Sequence, residues 1–176
     1  YALNTPEAPP LPTCSMKVIH VAPVPQRRGQ LRSCMRISEV LRRKGSTVST
    51  VAPQTTIGDL IEMLADQGIG SVVVSASGGD VAGIVIVRDV VRGLREQGGD
   101  LLAHSVESIM TTNVHTCTPN DDLETLALTM TEHRIRHLPV VVDGELRGIV
   151  SIGDIVKHRI DELQGERDQL VGYLQQ

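Results

Sequence analysis

The chain has 176 residues, which suits one domain or two very small ones, and 40% of them are apolar, enough to form a hydrophobic core. The net charge is −4 and there are two Tyr with no Phe or Trp, so the sequence lacks the clustered cations and stacking rings of a nucleic-acid-binding protein. No apolar run approaches the roughly 20 residues of a membrane-spanning helix, so a membrane is not expected as a partner either.

The N-terminal segment, residues 1–34, differs in composition from the rest of the chain. It holds six of the nine prolines and shows no apolar periodicity, which predicts a flexible extension, either native or vector-derived. It also lacks the continuous apolar stretch of a signal peptide. The three cysteines, Cys14, Cys34 and Cys117, have no metal-type spacing and are expected to be reduced thiols. Together these features predict a cytoplasmic protein.

From residue 35 onward the sequence repeats itself. Pro53 matches Pro119 and Asp89 matches Asp154, so the offset falls from 66 to 65 along the repeat. A period of this length is too long for a solenoid and indicates a duplicated small domain. The chain is therefore predicted to have four segments, which are the extension 1–34, a first repeat 35–101, a second repeat 102–164 and a C-terminal helical tail 165–176.

Each repeat is predicted to begin with a short strand of β-branched residues and to continue, after a proline, with an amphipathic helix. Apolar residues recur at i, i+3, i+4 and i+7 in both helices, starting from Ile57 and from Leu123. The predicted strands are Thr47–Val51 and Val114–Thr118. The expected N-caps are Thr55 or Thr56 in the first repeat and Asn120 or Asp121 in the second.

A β-hairpin and a final helix complete each repeat, with the strongest turn signal at Asp143-Gly144. The predicted strands are Ser71–Val74, Val81–Val87, Leu138–Val142 and Leu146–Ile152, and the final helices are Asp89–Gln97 and Asp154–Leu163. The tail is expected to stay helical with interruptions at Gly165 and Gly172. The fold class is therefore α/β of the α+β type, with two β-α-β-β-α repeats packed sheet to sheet in pseudo-twofold symmetry.

The second repeat, "HRIRHLPVVVDGELRGIVSIGDIV", together with its fainter first copy, resembles the CBS domain, a family named after cystathionine β-synthase. The resemblance extends over about residues 36–160. It implies a stand-alone Bateman module, in which two CBS repeats bind adenosine-type ligands in the clefts between them. Those ligands would be AMP, ADP, ATP, NAD(H) or S-adenosylmethionine. A homodimer is implied as well.

The stretch "GIVSIGDIV", which begins at Gly148, offers groups that suit a ribose. Gly148 leaves space beside the strand, Ser151 lies near the strand's end and Asp154 begins the helix. The Asp154 carboxylate can accept a hydrogen bond from each of two ribose hydroxyls, worth about 1.5–3 kcal/mol apiece, and the helix N-terminus favours a nearby phosphate. The alternative is that Ser151 and Asp154 only cap the helix.

The first copy keeps the aspartate as Asp89 but has Ile86 in place of the serine, so the Asp154 site is predicted to be the more complete one. By the resemblance, each aspartate works with strand residues of the other repeat. The Asp154 site would include Thr47, Val48, Ile69, Gly70, Ser71 and Ile149. The Asp89 site would include Ile86, Val114, His115, Thr116, Ile135, Arg136 and His137. The aliphatic residues among them are also expected to pack in the core.

The run "HRIRHLP", which begins at His133, is the most basic stretch next to these sites. In the family this position often contacts phosphate, which implies that role for Arg136 and His137. Further candidates are Arg88, Arg92 and Lys157. The alternative is a solvated loop. His133 and His137 have the spacing of a zinc pair, but the run lacks the Glu of HExxH, so no metal site is expected.

No P-loop, GxGxxG or nucleophile-elbow motif occurs in the sequence, and His115 with Cys117 is not placed as a base and a nucleophile. No catalytic residue and no catalytic cofactor is therefore predicted. The sequence favours a regulatory module, not an enzyme, that binds an adenine nucleotide and signals to an unidentified protein target by a conformational shift. The alternatives are a dimeric interaction scaffold without a ligand and a nucleotide-acting enzyme.

Overall fold

The computed structural model describes residues 19–20 and 35–174, which form seven strands and five α-helices. In chain order they are β1 (Ile19–His20), α1 (Ile37–Lys44), β2 (Thr50–Val51), α2 (Ile57–Gln67), β3 (Ser71–Val74), β4 (Gly83–Ile86), α3 (Val87–Gln97), β5 (His115–Thr116), α4 (Leu123–Glu132), β6 (His137–Val142), β7 (Glu145–Ser151) and α5 (Ile152–Leu174). Two 3₁₀ helices, Gly98–Ala103 and Val106–Ser108, connect α3 to β5. The flexible extension predicted for residues 1–34 lies outside the described residues, except for β1.

Each repeat builds its sheet around an antiparallel hairpin. In the first repeat β3 pairs antiparallel with β4 and parallel with β2. In the second, β6 pairs antiparallel with β7, and β5 is joined to β6 by an isolated parallel bridge between Cys117 and Val140. The turn between β6 and β7, Asp143-Gly144, has φ angles of 52° and 82°, the left-handed values of a tight hairpin turn. The predicted α+β class and β-α-β-β-α order are confirmed.

The two sheets face each other across a small aliphatic cluster. Val73 and Val81 of the first repeat are buried there with Val114 and Val141 of the second, which gives the sheet-to-sheet packing that the sequence predicts. An unpredicted addition is β1, which pairs in parallel with β5 at the edge of the second sheet.

Each hydrophobic core is completed by a segment from the neighbouring repeat. Ile37 and Val40 of α1 are buried in the core of the second repeat, although α1 precedes the first strand of the first repeat. Val106, which follows the first repeat in sequence, is buried in the first core. Each core therefore contains residues from both predicted segments, 35–101 and 102–164. The limits of these two segments remain predictions that describe the sequence repeat.

Matched backbone hydrogen bonds hold the exchanged segments. Ile37 N donates to Asp121 O at 3.1 Å, and Val106 N donates to Thr55 O at 2.8 Å. In both cases the segment that leads into one repeat pairs with the loop before the first helix of the other. These bonds are pseudo-twofold equivalents, and they tie the two repeats into one structural unit.

Leu101 anchors the connection between the repeats to the first core. Its side chain is fully buried, whereas that of its neighbour Leu102 is 43% exposed. Leu101→Ala is expected to lower the free energy of unfolding by about 2–5 kcal/mol, because it leaves a cavity against Gly93. Leu102→Ala should change it by less than about 0.5 kcal/mol. Urea denaturation measures both values, and equal losses would contradict the anchoring role of Leu101.

The cap of α4 differs from the sequence prediction. The helix is capped by Asp122, whose carboxylate accepts a hydrogen bond from the first helical turn at 2.8 Å, and not by Asn120 or Asp121. Asp121 instead accepts from Thr118 N at 2.7 Å and closes the turn before the helix. In the first repeat the cap is Thr56, one of the two residues predicted.

Helix α5 is longer, and strands β2 and β5 are shorter, than predicted. The helix continues through Gly165 and Gly172, because glycine weakens a helix but, unlike proline, does not end it. The two strands contain two residues each, since β-branched residues favour extended backbone while pairing depends on the neighbouring strand.

Candidate functional site

A cavity of about 160 Å³ opens between the repeats beside Asp89. One wall comes from β4 and the start of α3, and the other from the segment before β5 and the loop before β6. Of the residues predicted for this site, Ile86, Asp89, Val114, His115, Ile135, Arg136 and His137 line the cavity. Thr116, also predicted for this site, does not line the cavity. Its side chain is fully buried, because neighbours on a strand point to opposite faces.

The Asp89 carboxylate at the start of α3 is engaged on one side. Its Oδ2 accepts a hydrogen bond from Ile86 N at 3.1 Å, which helps to cap the helix. Its Oδ1 lies 3.9 Å from a guanidinium nitrogen of Arg92, beyond hydrogen-bond distance. No group within the described residues donates a hydrogen bond to Oδ1, so this oxygen can accept one from a hydroxyl group of a ligand.

Three guanidinium groups surround the mouth of the cavity. Arg88, Arg134 and Arg136 line it and also line an adjoining cavity of about 350 Å³, so the two spaces meet at these exposed side chains. Arginine stays charged at physiological pH, and its planar group of donors matches the oxygens of a phosphate. We call these three residues the arginine basin. The carboxylate and the basin together suit a ligand with a diol at one end and phosphates at the other.

Two histidines in the cavity wall are neutral at physiological pH. Burial, followed by the nearby charge of His133, lowers the pKa of His115, whose ring stacks on that of His133 with centroids 5.3 Å apart. Burial also lowers the pKa of His137, and the charge of Lys44 acts in the same direction. The buried Nδ1 of His137 has no hydrogen-bond partner within residues 35–174.

The equivalent place in the other repeat is occupied by a lysine. Asp154 Oδ2 accepts hydrogen bonds from Lys44 Nζ at 2.6 Å, Ser151 Oγ at 2.7 Å and Ser151 N at 2.8 Å. Lys44 Nζ also donates to Ile149 O at 3.3 Å. Ser151 Oγ accepts from Asp154 N at 3.1 Å, so the two residues cap α5 reciprocally, which is the alternative the sequence allowed. Neither of the two cavities above reaches Asp154.

The ion pair between Lys44 and Asp154 persists at neutral pH. Burial opposes ionisation of Asp154, but hydrogen bonds from Lys44 and Ser151 outweigh it and lower the pKa of the carboxyl group. The pair therefore adds stability above the ordinary aspartate pKa of about 3.9, and the protein loses this stability as the pH falls through the lowered value. At neutral pH the ammonium group therefore stays paired with Oδ2, and a ligand in this cleft would have to share the carboxylate with Lys44.

The other residues predicted for the Asp154 site are only partly brought together. Val48 and Ile149 pack against the cluster between the sheets. Ile69 packs against the first core, and Ser71 is buried. Thr47 and Gly70 are exposed at the surface. The geometry therefore favours the Asp89 cleft as the open one, although the sequence pattern favours Asp154.

Each residue of the arginine basin stands where the other repeat has glycine. The internal offset, which is 66 before the hairpin turn and 65 after it, matches Arg134 with Gly68, Arg136 with Gly70 and Arg88 with Gly153. Equivalent hydrogen bonds support this alignment, because the carbonyl groups of Gly70 and Arg136 both accept from the first residue of the next helix, at 3.1 and 3.0 Å. The Asp89 cleft therefore has three guanidinium groups that the Asp154 cleft lacks.

Arg134 is held in a backbone conformation that glycine adopts more easily. Its φ is 54°, in the left-handed region, and the equivalent Gly68 has a φ of 62°. A side chain in this conformation costs about 1–2 kcal/mol, so an arginine here indicates a use for its guanidinium group. The match with Gly68 is the sequence signal for Arg134. No sequence pattern marks the other unpredicted residues that the fold brings to the clefts, which are Lys44, Ile84, Thr111 and Asn113.

The thiol of Cys117 is not placed for catalysis. It is buried 3.8 Å from Pro139 O, and burial, followed by the charge of Asp121, raises its pKa to about 12. Within the described part of the chain, no group of three or more His, Cys, Asp and Glu side chains is placed to hold a metal ion. Among the helices described, none is long and apolar enough to cross a bilayer.

A duplicated α+β unit with a cleft between its repeats defines a tandem-repeat module. The family model of the CBS domain matches residues 37–96 and 106–161, so the chain belongs to the CBS domain family. Among curated relatives, the mitochondrial CBS domain-containing protein CBSX3 of Arabidopsis thaliana is 32% identical over 147 residues, covering 79% of this chain and 71% of that protein.

Solved structures show the same architecture. The CBS-domain containing protein ATU1752 from Agrobacterium tumefaciens is 42% identical with a TM-score of 0.69, covering 71% of this chain and 99% of that one. The CBS domain pair of protein MJ0100 was crystallised with 5′-methylthioadenosine and S-adenosyl-L-methionine. It is 22% identical with a TM-score of 0.65, and the match covers 73% of this chain and 98% of that one. The second likeness concerns the fold alone. The duplication predicted from the sequence is confirmed as a tandem pair of CBS domains.

Proposed function

We propose that this protein is a regulatory module that binds an adenine nucleotide in the cleft beside Asp89 and is not itself an enzyme. The observation that carries the proposal is one cavity with Asp89 in its wall and the arginine basin at its mouth. A ribose diol can donate hydrogen bonds to the carboxylate while phosphates accept them from the guanidinium groups. The MJ0100 domain pair shares the fold and was crystallised with two adenosine-containing ligands, which makes this ligand class the first to test.

The adenine base would be held by aliphatic packing, because the cavity wall contains no Phe, Tyr or Trp among the described residues. Ile86, Val114 and Ile135 offer apolar faces, which gain roughly 25 cal/mol for each Å² that they remove from water. His137 completes this part of the wall. These groups would provide the packing surface for the base.

The arginine basin bears on the choice among AMP, ATP and NAD(H). A charge-assisted hydrogen bond contributes about 1.5–3 kcal/mol, so each further guanidinium group reached by a phosphate strengthens binding by about 10- to 100-fold. A ligand with two or more phosphates reaches more of the basin than AMP does, and S-adenosylmethionine has no phosphate. The proposal therefore ranks ATP, ADP and NAD(H) above AMP and S-adenosylmethionine.

Signalling would follow from the position of the cleft. Asp89 belongs to the first repeat, whereas Arg134 and Arg136 belong to the second, so a ligand that contacts all three favours one angle between the repeats. An unidentified partner protein would respond to that angle. The proposed working unit is a homodimer in the cytoplasm, where adenine nucleotides are plentiful.

A thermal-shift screen with ATP, ADP, NADH, AMP and S-adenosylmethionine tests the proposal. A ligand at 100 times its Kd adds about 2.7 kcal/mol to the free energy of unfolding, and at equal concentration we expect the largest shift with ATP, ADP or NADH. The absence of a shift with all five would overturn nucleotide binding. It would leave a dimeric scaffold as the function, a candidate favoured by the exposed apolar residues of α5. If chromatography showed that the protein converts ATP to a product, the assignment as a non-enzyme would be contradicted.

A further inference from the structure

The C-terminal half of α5 extends away from the rest of the protein. Every residue from Leu163 to Leu174 is exposed, in a helix that continues without interruption from Ile152. A projecting helix of about twelve residues is marginal in water, and Gly165 and Gly172 weaken it further. A partner that covers one of its faces would account for its stability.

Five of the seven exposed large apolar residues of α5 form one continuous line, and the other two, Val171 and Tyr173, flank it at the e and g positions. The five follow the a and d positions of a heptad repeat, are 48–87% exposed, and are Val156, Ile160, Leu163, Leu170 and Leu174. We call these five residues the α5 seam. Arg167 takes the one other a or d position between them. Gly165 and Gly172 both fall at the f position, on the opposite side of the helix, where a packed partner does not reach.

The α5 seam points away from the CBS repeats. Ile155 and His158, on a different face of the same helix, are buried, and Ile155 belongs to the second core. The same helix therefore has one face committed to its own chain and another that is apolar and exposed. Exposed apolar residues that line up along a helix are typical of a helix–helix interface.

We infer that the α5 seam is the surface on which a second copy of this chain docks, through antiparallel pairing of the two α5 helices. The charge at position 167 decides the direction. In a parallel pair, the Arg167 side chains of both copies would face each other within the seam. An antiparallel pair centred on Gly165 instead sets each Arg167 against the second copy's Leu163 and close to its Glu166, which has the opposite charge.

The same register covers the rest of the seam. It sets Ile160 against the second copy's Leu170 and Val156 against its Leu174, and the twofold axis repeats both contacts. A surface that complements itself when reversed needs no second kind of partner. The inference rests on the proposed function only in taking a homodimer as the working unit, and it gives that dimer a defined interface.

The oligomeric state of two matched variants tests the interface. Sedimentation equilibrium of the full chain is expected to show a dimer. Leu170→Asp should raise the dissociation constant of this dimer by at least about 100-fold, because it places a charge in the seam. Gln169→Asp adds the same charge one position away, outside the seam, and should leave the dimer intact. A monomeric unmodified chain, or dimers of equal strength from both variants, would overturn the inference.

Disulfide cross-linking tests the direction of pairing. In chains with Cys14→Ser and Cys34→Ser, an equal mixture of Ile160→Cys and Leu170→Cys chains is expected to give the mixed disulfide, identified by mass spectrometry. Self-cross-linking of Ile160→Cys alone would indicate a parallel pair and contradict the inference. Leu170→Asp should bind ATP as the unmodified chain does, because the cleft lies within one chain. Measuring ATP binding by this variant therefore tests the two proposals separately. A Leu170→Asp chain that becomes monomeric supports the pairing even if ATP binding, and with it the proposed function, fails.

Discussion

Replacing Arg134 with glycine is expected to weaken ATP binding by about 10- to 100-fold without destabilising the protein. The loss corresponds to one charge-assisted hydrogen bond of about 1.5–3 kcal/mol. The free energy of unfolding should stay the same or rise by up to about 1 kcal/mol, because glycine adopts a φ of 54° without strain. Its greater freedom in the unfolded chain offsets part of that gain. A residue that lowers stability while improving binding is characteristic of a functional position.

Asp143→Gly is the matched control for this experiment. Asp143 is the other non-glycine residue with a positive φ in the described chain, at 52°, and it lies in the hairpin turn and does not line the cavity. The same substitution there should leave ATP binding unchanged. Calorimetric titration with ATP and urea denaturation of the same preparations give both quantities. Unchanged ATP binding in Arg134→Gly, or an equal loss in Asp143→Gly, would contradict the phosphate-binding role.

Lys44→Met is expected to open the second cleft and raise the number of adenosine molecules bound per chain from one to two. The substitution removes the ammonium group that lies 2.6 Å from Asp154 Oδ2 and keeps most of the aliphatic stem. The freed carboxylate can then accept hydrogen bonds from ribose hydroxyls. Since the second cleft has glycines in place of the arginine basin, adenosine is the appropriate probe and ATP should still bind only once. The partly exposed ion pair contributes about 1 kcal/mol or less, so the variant should remain folded.

Arg43→Met is the control for the second cleft. Arg43 is the neighbouring cation on α1, and its partner is Asp161, at 3.5 Å, outside the cleft. This variant should keep one adenosine site. Equilibrium dialysis with labelled adenosine measures the stoichiometry. A single site in Lys44→Met would show that Lys44 is not what closes the Asp154 cleft.

The duplication could be predicted from the sequence because its signals are local. A proline, a capped amphipathic helix and a glycine-containing hairpin recur in the same order, so the β-α-β-β-α units follow directly. The exchange of segments between the cores could not be predicted in this way. The periodicity of α1 shows that one face is apolar but does not show which sheet that face covers, since both sheets are aliphatic.

The ranking of the two clefts illustrates the same limit. Ser151 made the Asp154 cleft the more complete one in sequence, but its hydroxyl group caps α5 and the carboxylate pairs with Lys44, 110 residues earlier in the chain. A contact at that separation leaves no periodic trace. Arg134 is a different case, because its alignment with Gly68 is visible in the sequence and gains its meaning only once both φ values are known.

Calorimetric titration of ATP into the unmodified chain, Asp89→Ala and Asp154→Ala tests the central claim most directly. The structure predicts one ATP per chain, an affinity at least about 10-fold lower in Asp89→Ala because a hydrogen bond of about 1.5–3 kcal/mol is lost, and little change in Asp154→Ala. Loss of binding in Asp154→Ala with full binding in Asp89→Ala would contradict it and restore the order that the sequence pattern favours.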